Sequence, residues 1–326
     1  MNVTEPDLAA GVRAVLADRG EDPGELRLSP IPGGASRETW LAEGEGGRWA
    51  LRRDPEGSVS LVAMREEFGL LQLAAAAGVP VPEPLAFEPG GGRFGTPGIL
   101  MGFVEGTSVA PRVLKKPEYG TARGRLTVQL AEALARVHSL GPSEVGDLLP
   151  GSPPDPALGQ LDEWERQLDV IGEPLPALEL GLRWLRAKAP APADPTLVHG
   201  DFRLGNFIID ADGLAGVIDW ELAHAGDPAE DIGWLCIRSW RFGNDDRAVA
   251  GVGGLDEFIA AYEGAAGAAL DRDRVHYWEV FGNLKWAVIC ARQAKDHLDG
   301  IRRSHELASL GRRICEPEWD LLELIR

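Results

Sequence analysis

The hydrophobic and polar positions along the chain change period about a third of the way in. Over residues 6–19, Leu8, Val12, Val15 and Leu16 recur at helical spacing and predict an amphipathic helix. Two strand-like pieces follow, around 26–31 and 38–43, separated by the glycine-rich turn IPGGASRETW. The stretch RWALRR (48–53) alternates as a third strand. A helix is expected over 59–77. The segment GVPVPEPL is expected to be extended, because each proline lacks a donor and restrains its predecessor. GILMGFVEG (98–106) reads as a buried strand that leaves through a glycine. Thereafter the period is helical. Leu126, Leu130, Leu134 and Val137 form one stripe over 121–140. Further helices are expected near 158–170, 175–188, 231–239, 254–265, 272–297 and 302–314. The pattern predicts an α+β chain: a strand-rich part over 1–104, then a helical part over 105–326 that carries a small strand insert.

That insert is the stretch LVHGDFRLGNFIID followed by GVIDWELAHAGDPAED. Phe207-Ile208-Ile209 is β-prone, Asp210 to Gly213 is turn chemistry, and Leu214 to Ile218 is apolar again, which reads as a hairpin. Asn206 opens the first strand and Asp219 closes the second, so an antiparallel hairpin brings the two together. Both offer hard oxygen ligands suited to Mg2+. Asp201 precedes the hairpin on a loop, where its carboxylate can accept a proton from a hydroxyl near such a metal. Downstream, Asp227-Pro228 reads as a helix start, with Glu230 closing a capping box.

Composition narrows the partners. The 326 residues carry a formal net charge of −18, which argues against broad contact with nucleic acid or an anionic membrane. The three cysteines, Cys236, Cys290 and Cys315, form no CxxC pair and make a disulfide framework or zinc site unexpected. The first residues are polar and mixed in charge, without the apolar core of a signal peptide, and no apolar run is long enough to span a bilayer. A cytoplasmic location is the expectation.

HGDFRLGN followed by VIDWE resembles the aminoglycoside phosphotransferase and choline kinase-like family. The similarity extends from IPGGASRETW to the C-terminal helices, and WELAHAGDP resembles the branch associated with acyl-CoA dehydrogenases. Asp201 and Asn206 have the D-x4-N spacing of a kinase catalytic loop, and Asp219 stands where the kinase DFG aspartate stands. The resemblance implies a two-lobed protein-kinase-like fold, with an antiparallel-sheet N-lobe for nucleotide and a mainly helical C-lobe for the acceptor. It implies ATP and Mg2+ as cofactors.

Residue by residue, it implies that Gly33, Gly34 and Ser36 cover the phosphates. Ala50 and Arg52 face the nucleotide, Arg52 replacing the usual lysine, with Arg53 as the second choice. Glu66 braces that base, preferred over Glu67 because Arg65-Glu66 is followed by Leu73 as in the family's pattern. Met101, Phe103 and Val104 resemble the adenine hinge, and Ile208 the floor beneath it. His199 orients the loop, and Asp231 hydrogen-bonds its backbone. Trp234, Trp240 and Trp286 are candidates for the acceptor site, although core packing also accounts for them.

The expected reaction is transfer of the γ-phosphate of ATP to a hydroxyl of a small molecule: an aminoglycoside, an amino alcohol, a sugar or a hydroxyacyl compound. A non-catalytic nucleotide-binding protein is the alternative, and the presence of every key acid argues against it. A two-metal phosphohydrolase would need more histidines near the acids than His199 and His224.

Overall fold

The alternation in RWALRR builds the middle strand of a five-stranded antiparallel sheet. Its strands are β1 (Arg27–Pro30), β2 (Glu38–Gly44), β3 (Gly47–Arg53), β4 (Pro84–Glu88) and β5 (Gly98–Gly102), in the order β1-β2-β3-β5-β4. The structure is a computed structural model and describes residues 4–31, 37–55, 62–149, 151 and 153–326. The N-terminal helix α1 (Glu5–Asp18) lays Leu8, Val12, Val15 and Leu16 against Trp49 and Leu51 of β3 and Leu100 of β5, closing one face of the sheet. Burial of each such aliphatic side chain contributes about 1.5–3 kcal/mol.

The other face carries Ala50 and Arg52, because side chains alternate along a strand. Ala50 pairs with Leu41 on β2 and Met101 on β5. Arg53 points the opposite way, with Nε 2.8 Å from Glu38 and a terminal nitrogen 2.8 Å from the Phe94 carbonyl.

Helix α2 (Met64–Ala76) packs on the sheet face opposite α1, the face that carries Arg52, and buries Met64, Glu67, Leu70, Leu71 and Ala74. The expected start at residue 59 lies outside the described residues. The end of GVPVPEPL, expected to be extended, enters β4.

Past Gly102 the chain is mainly helical. Short α3 (Ala110–Lys115) leads to α4 (Gly120–His138) and α5 (Pro142–Val145), then α6 (Pro156–Ile171) and α7 (Pro176–Lys188). The strand insert follows as β6 (Thr196–Val198), β7 (Phe207–Ile209), β8 (Leu214–Val217) and β9 (His224–Gly226), with β6 paired to β9 and β7 to β8. Helices α8 (Ala229–Cys236), α9 (Leu255–Ala266), α10 (Arg272–Leu298), α11 (His305–Leu310) and α12 (Cys315–Leu324) complete the chain.

The stripe predicted on α4 is buried, with Leu126, Leu130, Leu134 and Val137 all at 0% exposure. Close approach of α8 to α10 requires Gly233, where a Cβ would lie 2.3 Å from the Trp278 backbone. The 302–314 helix is shorter than expected and breaks into a 3-10 turn. No helix among the described residues is long and apolar enough to cross a membrane.

Candidate active site

A cleft of about 680 Å3 lies between the open face of the sheet and the β7–β8 hairpin. The hairpin forms as its turn chemistry dictates: Phe207 pairs with Val217, and the Ile218 amide donates to the Asn206 carbonyl at 2.9 Å. Asn206 and Asp219 therefore stand side by side at its open end. Thr107 exchanges both backbone hydrogen bonds with Ile209, fixing the segment after β5 against the hairpin.

Asp201 sits at the cleft floor with its carboxylate held by three side chains. Oδ1 accepts from Arg203 Nε at 2.9 Å and from the Trp234 indole at 2.9 Å, and Oδ2 accepts from Asn206 Nδ2 at 2.6 Å. Gly200 precedes it at φ +79°, and a Cβ there would meet the Leu222 carbonyl oxygen at 2.2 Å. Only glycine fits both that conformation and that approach.

Behind the loop, Asp231 is fully buried and accepts from the amides of His199 (2.7 Å) and Gly200 (2.9 Å), with His138 Nε2 at 3.2 Å. Burial alone would raise its carboxyl, but the His138 hydrogen bond and the other partners outweigh that and hold it below the usual range. His199 is buried, accepts from the Asp201 amide at Nδ1, and faces the Ile218 carbonyl through Nε2. Desolvation keeps its pKa below the ordinary value, against the pull of Asp231, Asp201 and Asp219, so at neutral pH it is a neutral Nε2–H donor tying loop to hairpin.

Across the cleft, Arg52 reaches three carboxylates. One terminal nitrogen is 2.5 Å from Glu67 Oε1, the other pairs with Asp219 and lies 3.9 Å from Glu221. Glu67 is 1% exposed and also pairs with Arg37, which in turn holds Asp54 at 3.0 Å and the Val62 carbonyl at 2.7 Å. The brace expected at Glu66 is thus Glu67. Met64, Glu67, Leu70, Leu71 and Ala74 form the buried stripe of α2, whereas Glu66 lies one position off it. Burial would raise the Asp219 carboxyl, but Arg52 outweighs that and holds it below the usual range. Asp219 also adopts φ +72°, uncommon for a non-glycine residue.

Met101, Phe103, Val104, Ala50 and Ile208 all line the cleft. The Gly102 amide donates to Glu83 and the Phe103 amide to Arg48, so those two serve the fold rather than a ligand. Gly33, Gly34 and Ser36 lie outside the described residues.

Trp234 lines the cleft beside Trp286, yet it is 2% exposed and donates to Asp201, a contact that orients the acid. Trp286 is the half-buried aromatic of this cluster that lines the cleft, its ring 4.7 Å from that of Trp240. The capping box expected at Glu230 does not form. Its carboxylate is buried and paired with His224 at 3.1 Å and Lys285 at 3.4 Å, while Asp227 alone accepts from the Ala229 amide at 3.0 Å.

Three residues near the acids escaped the sequence reading: Arg203, Lys285 and Arg37. Arg203 lies inside HGDFRLGN and could have been found by its place two residues after Asp201. Lys285, alone in the apolar run LKWAV, carries the anomaly of a charge on a buried face. Arg37 gives no local sign.

The donor set fits a hard divalent cation. Asp219 is held ionised, and Asn206 turns its amide nitrogen to Asp201, leaving the carbonyl oxygen as the ligand it can offer.

The chain is similar to known proteins in sequence and in fold. Acyl-CoA dehydrogenase family member 10 of Mus musculus is 27% identical over 314 residues, 91% of this chain, which spans only 29% of that protein's length. A putative aminoglycoside phosphotransferase from Ralstonia eutropha JMP134 superposes with a TM-score of 0.76 at 22% identity, covering 96% of this chain and 98% of its own. A spectinomycin phosphotransferase solved with ADP and spectinomycin superposes at 0.61 and 14% identity, covering 97% and 94%. A sequence model described as the phosphotransferase enzyme family matches residues 27–277, and the chain belongs to that family.

Proposed function

We propose that this chain transfers the γ-phosphate of ATP to a hydroxyl of a small molecule, with 1–104 as the nucleotide lobe and 105–326 as the acceptor lobe. The observation that carries the reading is the Asp201 carboxylate, aimed by Arg203, Trp234 and Asn206 at the point where Asn206 and Asp219 converge. Adenine rests between Ala50 and Ile208, with Val104 as the hinge residue that offers its amide. Arg52, braced by Glu67, and the loop carrying Gly33, Gly34 and Ser36 position the phosphates. Asp201 accepts the acceptor's hydroxyl proton as its oxygen bonds to the γ-phosphorus, and the bond from phosphorus to the β–γ bridging oxygen breaks to release ADP. Asn206 and Asp219 would hold Mg2+, which supplies charge neutralisation of the phosphates. Alignment and charge stabilisation supply most of the rate.

The acceptor end of the cleft carries Trp286 and Ile289 on α10, then Gln293 and, on α11, Glu306. Among the described residues, α10 and α11 add to the cleft one carboxylate, Glu306, beyond Asp201, which is already paired to Arg203. This wall suits a hydroxyl compound with an apolar body better than a polycationic aminoglycoside, which would need several acids.

The test is ATP consumption with Mg2+ across aminoglycosides, choline-like amines, sugar and amino-acid alcohols, and hydroxyacyl thioesters, with Asp201→Asn as the control. Turnover on one class that drops by about 10²–10⁴ in the variant supports the assignment. Near-normal turnover in Asp201→Asn, or no nucleotide binding by the unmodified chain, sinks it.

A further inference from the structure

Lys285 lies in the middle of α10 with its side chain 3% exposed. Its ammonium donates to the Gly200 carbonyl at 2.7 Å and stands 3.4 Å from Glu230. It also lies 4.7 Å above the Trp234 ring and 5.7 Å from that of Trp164. We infer that Lys285 is a positioning residue for Asp201, acting through the Gly200 carbonyl and the Trp234 indole at once. The inference rests on the phosphotransferase reading, which makes Asp201 the proton acceptor.

Two short paths connect the ammonium to that acid. The first is the peptide between Gly200 and Asp201, whose oxygen Lys285 grips. Gly200 occupies the left-handed region, and the N–H side of this peptide is held only by the 3.2 Å bond from the Asp201 amide to His199 Nδ1, so the grip on its oxygen adds a second restraint against a rotation that swings the Asp201 side chain away from the cleft. The second is Trp234, whose indole N–H meets Asp201 Oδ1 at 2.9 Å. A cation over the ring face draws on its π-density and strengthens the N–H as a donor.

A buried ammonium is costly, and an apolar residue of similar length would serve packing as well or better. Its charge is compensated locally. Burial would raise the Glu230 carboxyl, but His224 and Lys285 outweigh that and hold it low, and Glu230 in turn raises His224 against desolvation. Glu230, itself paired with His224, therefore anchors a cation whose contacts, apart from the more distant Trp164 ring on α6, lead to the catalytic loop or to α8, which carries Trp234.

The experiment uses the full chain, 15N-labelled, with Lys285→Met, Lys285→Arg and Trp234→Phe. The ten tryptophans give ten indole N–H resonances, and Trp234→Phe identifies its own. Mg·ATP binding is read by thermal shift, and turnover by ATP consumption with the acceptor from the screen above, or with water as acceptor. The expected result for Lys285→Met is an upfield move of the Trp234 indole resonance, an unchanged Kd for Mg·ATP, and turnover lower by about tenfold or more. Lys285→Arg restores part of both signals. Trp234→Phe, which keeps the ring, lowers turnover without changing Mg·ATP binding. It carries the test if Lys285→Met does not fold. An unmoved indole resonance and full turnover in folded Lys285→Met overturn the inference, as does full turnover in Trp234→Phe. An unmodified chain that neither binds nor consumes ATP overturns the phosphotransferase reading and this inference with it. A chain that consumes ATP but ignores Lys285→Met overturns the positioning alone.

Discussion

Glu67 accepts from Arg52 at 2.5 Å and holds Arg37 with its other oxygen, so one buried carboxylate ties two guanidinium groups to the wall of the cleft. Burial, with Arg52 nearby, lowers the Arg37 pKa. Removing the carboxylate takes away the anion both cations share, leaving Arg37 with Asp54 and Arg52 with Asp219. Glu67→Gln is expected to cost about 3–5 kcal/mol in chemical denaturation and to weaken nucleotide binding. Glu66→Gln is expected to stay within about 0.5 kcal/mol. The reverse ranking would return the brace to Glu66.

Arg52 also closes on Asp219, pairing the proposed phosphate ligand with the proposed metal ligand. Asp219→Asn removes the stronger oxygen donor and this contact together. The expected outcome is loss of the extra thermal stabilisation that Mg2+ gives over ATP alone, with ATP alone still bound. A magnesium-dependent shift that survives in Asp219→Asn would place the metal elsewhere.

Gly200→Ala tests the loop geometry without touching charge. A Cβ at 2.2 Å from the Leu222 oxygen, on a backbone at φ +79°, adds a clash to a strained conformation. The cost is expected to exceed about 2 kcal/mol. Because the loop carries Asp201, any folded fraction should show lower turnover per folded molecule. Unchanged stability would mean the β6–β7 loop relaxes freely.

His199 gives a pH dependence with a definite sign. Its folded pKa lies below the ordinary 6.5, so the unfolded chain takes up the proton first as pH falls. Its contribution to stability is therefore complete above about 6.5 and declines below it. His224, raised by Glu230, works in the opposite direction, so the wild-type curve mixes the two. The difference between wild type and His199→Gln isolates the first. That difference is expected to shrink as pH falls from 7.5 toward 5.5, and a constant gap would show that His199 does not titrate below the ordinary value.

The α1 stripe, the alternation of β3 and the Asp201–Asn206–Asp219 spacing were legible because period and turn chemistry are local properties of the chain. Alternation also put Arg52 and Arg53 on opposite faces. Which face opened on the cleft depended on α1 covering the side of Trp49 and Leu51. Glu67 competes with Glu66 in the sequence, where the phase of Met64, Leu70, Leu71 and Leu73 does not separate the two and the family pattern favours Glu66. Packing of α2 buries Glu67 and brings it to Arg52. The roles of Trp234, Glu230 and Lys285 were not legible. Each depends on α8 packing on α10 behind the catalytic loop, between residues far apart in the chain, such as Glu230 with Lys285 and Lys285 with Gly200. The sequence alone determined the elements and the three residues at the hairpin and its loop. Tertiary packing decided which buried charges meet, because a charge withdrawn from water takes whatever partner the fold places within reach.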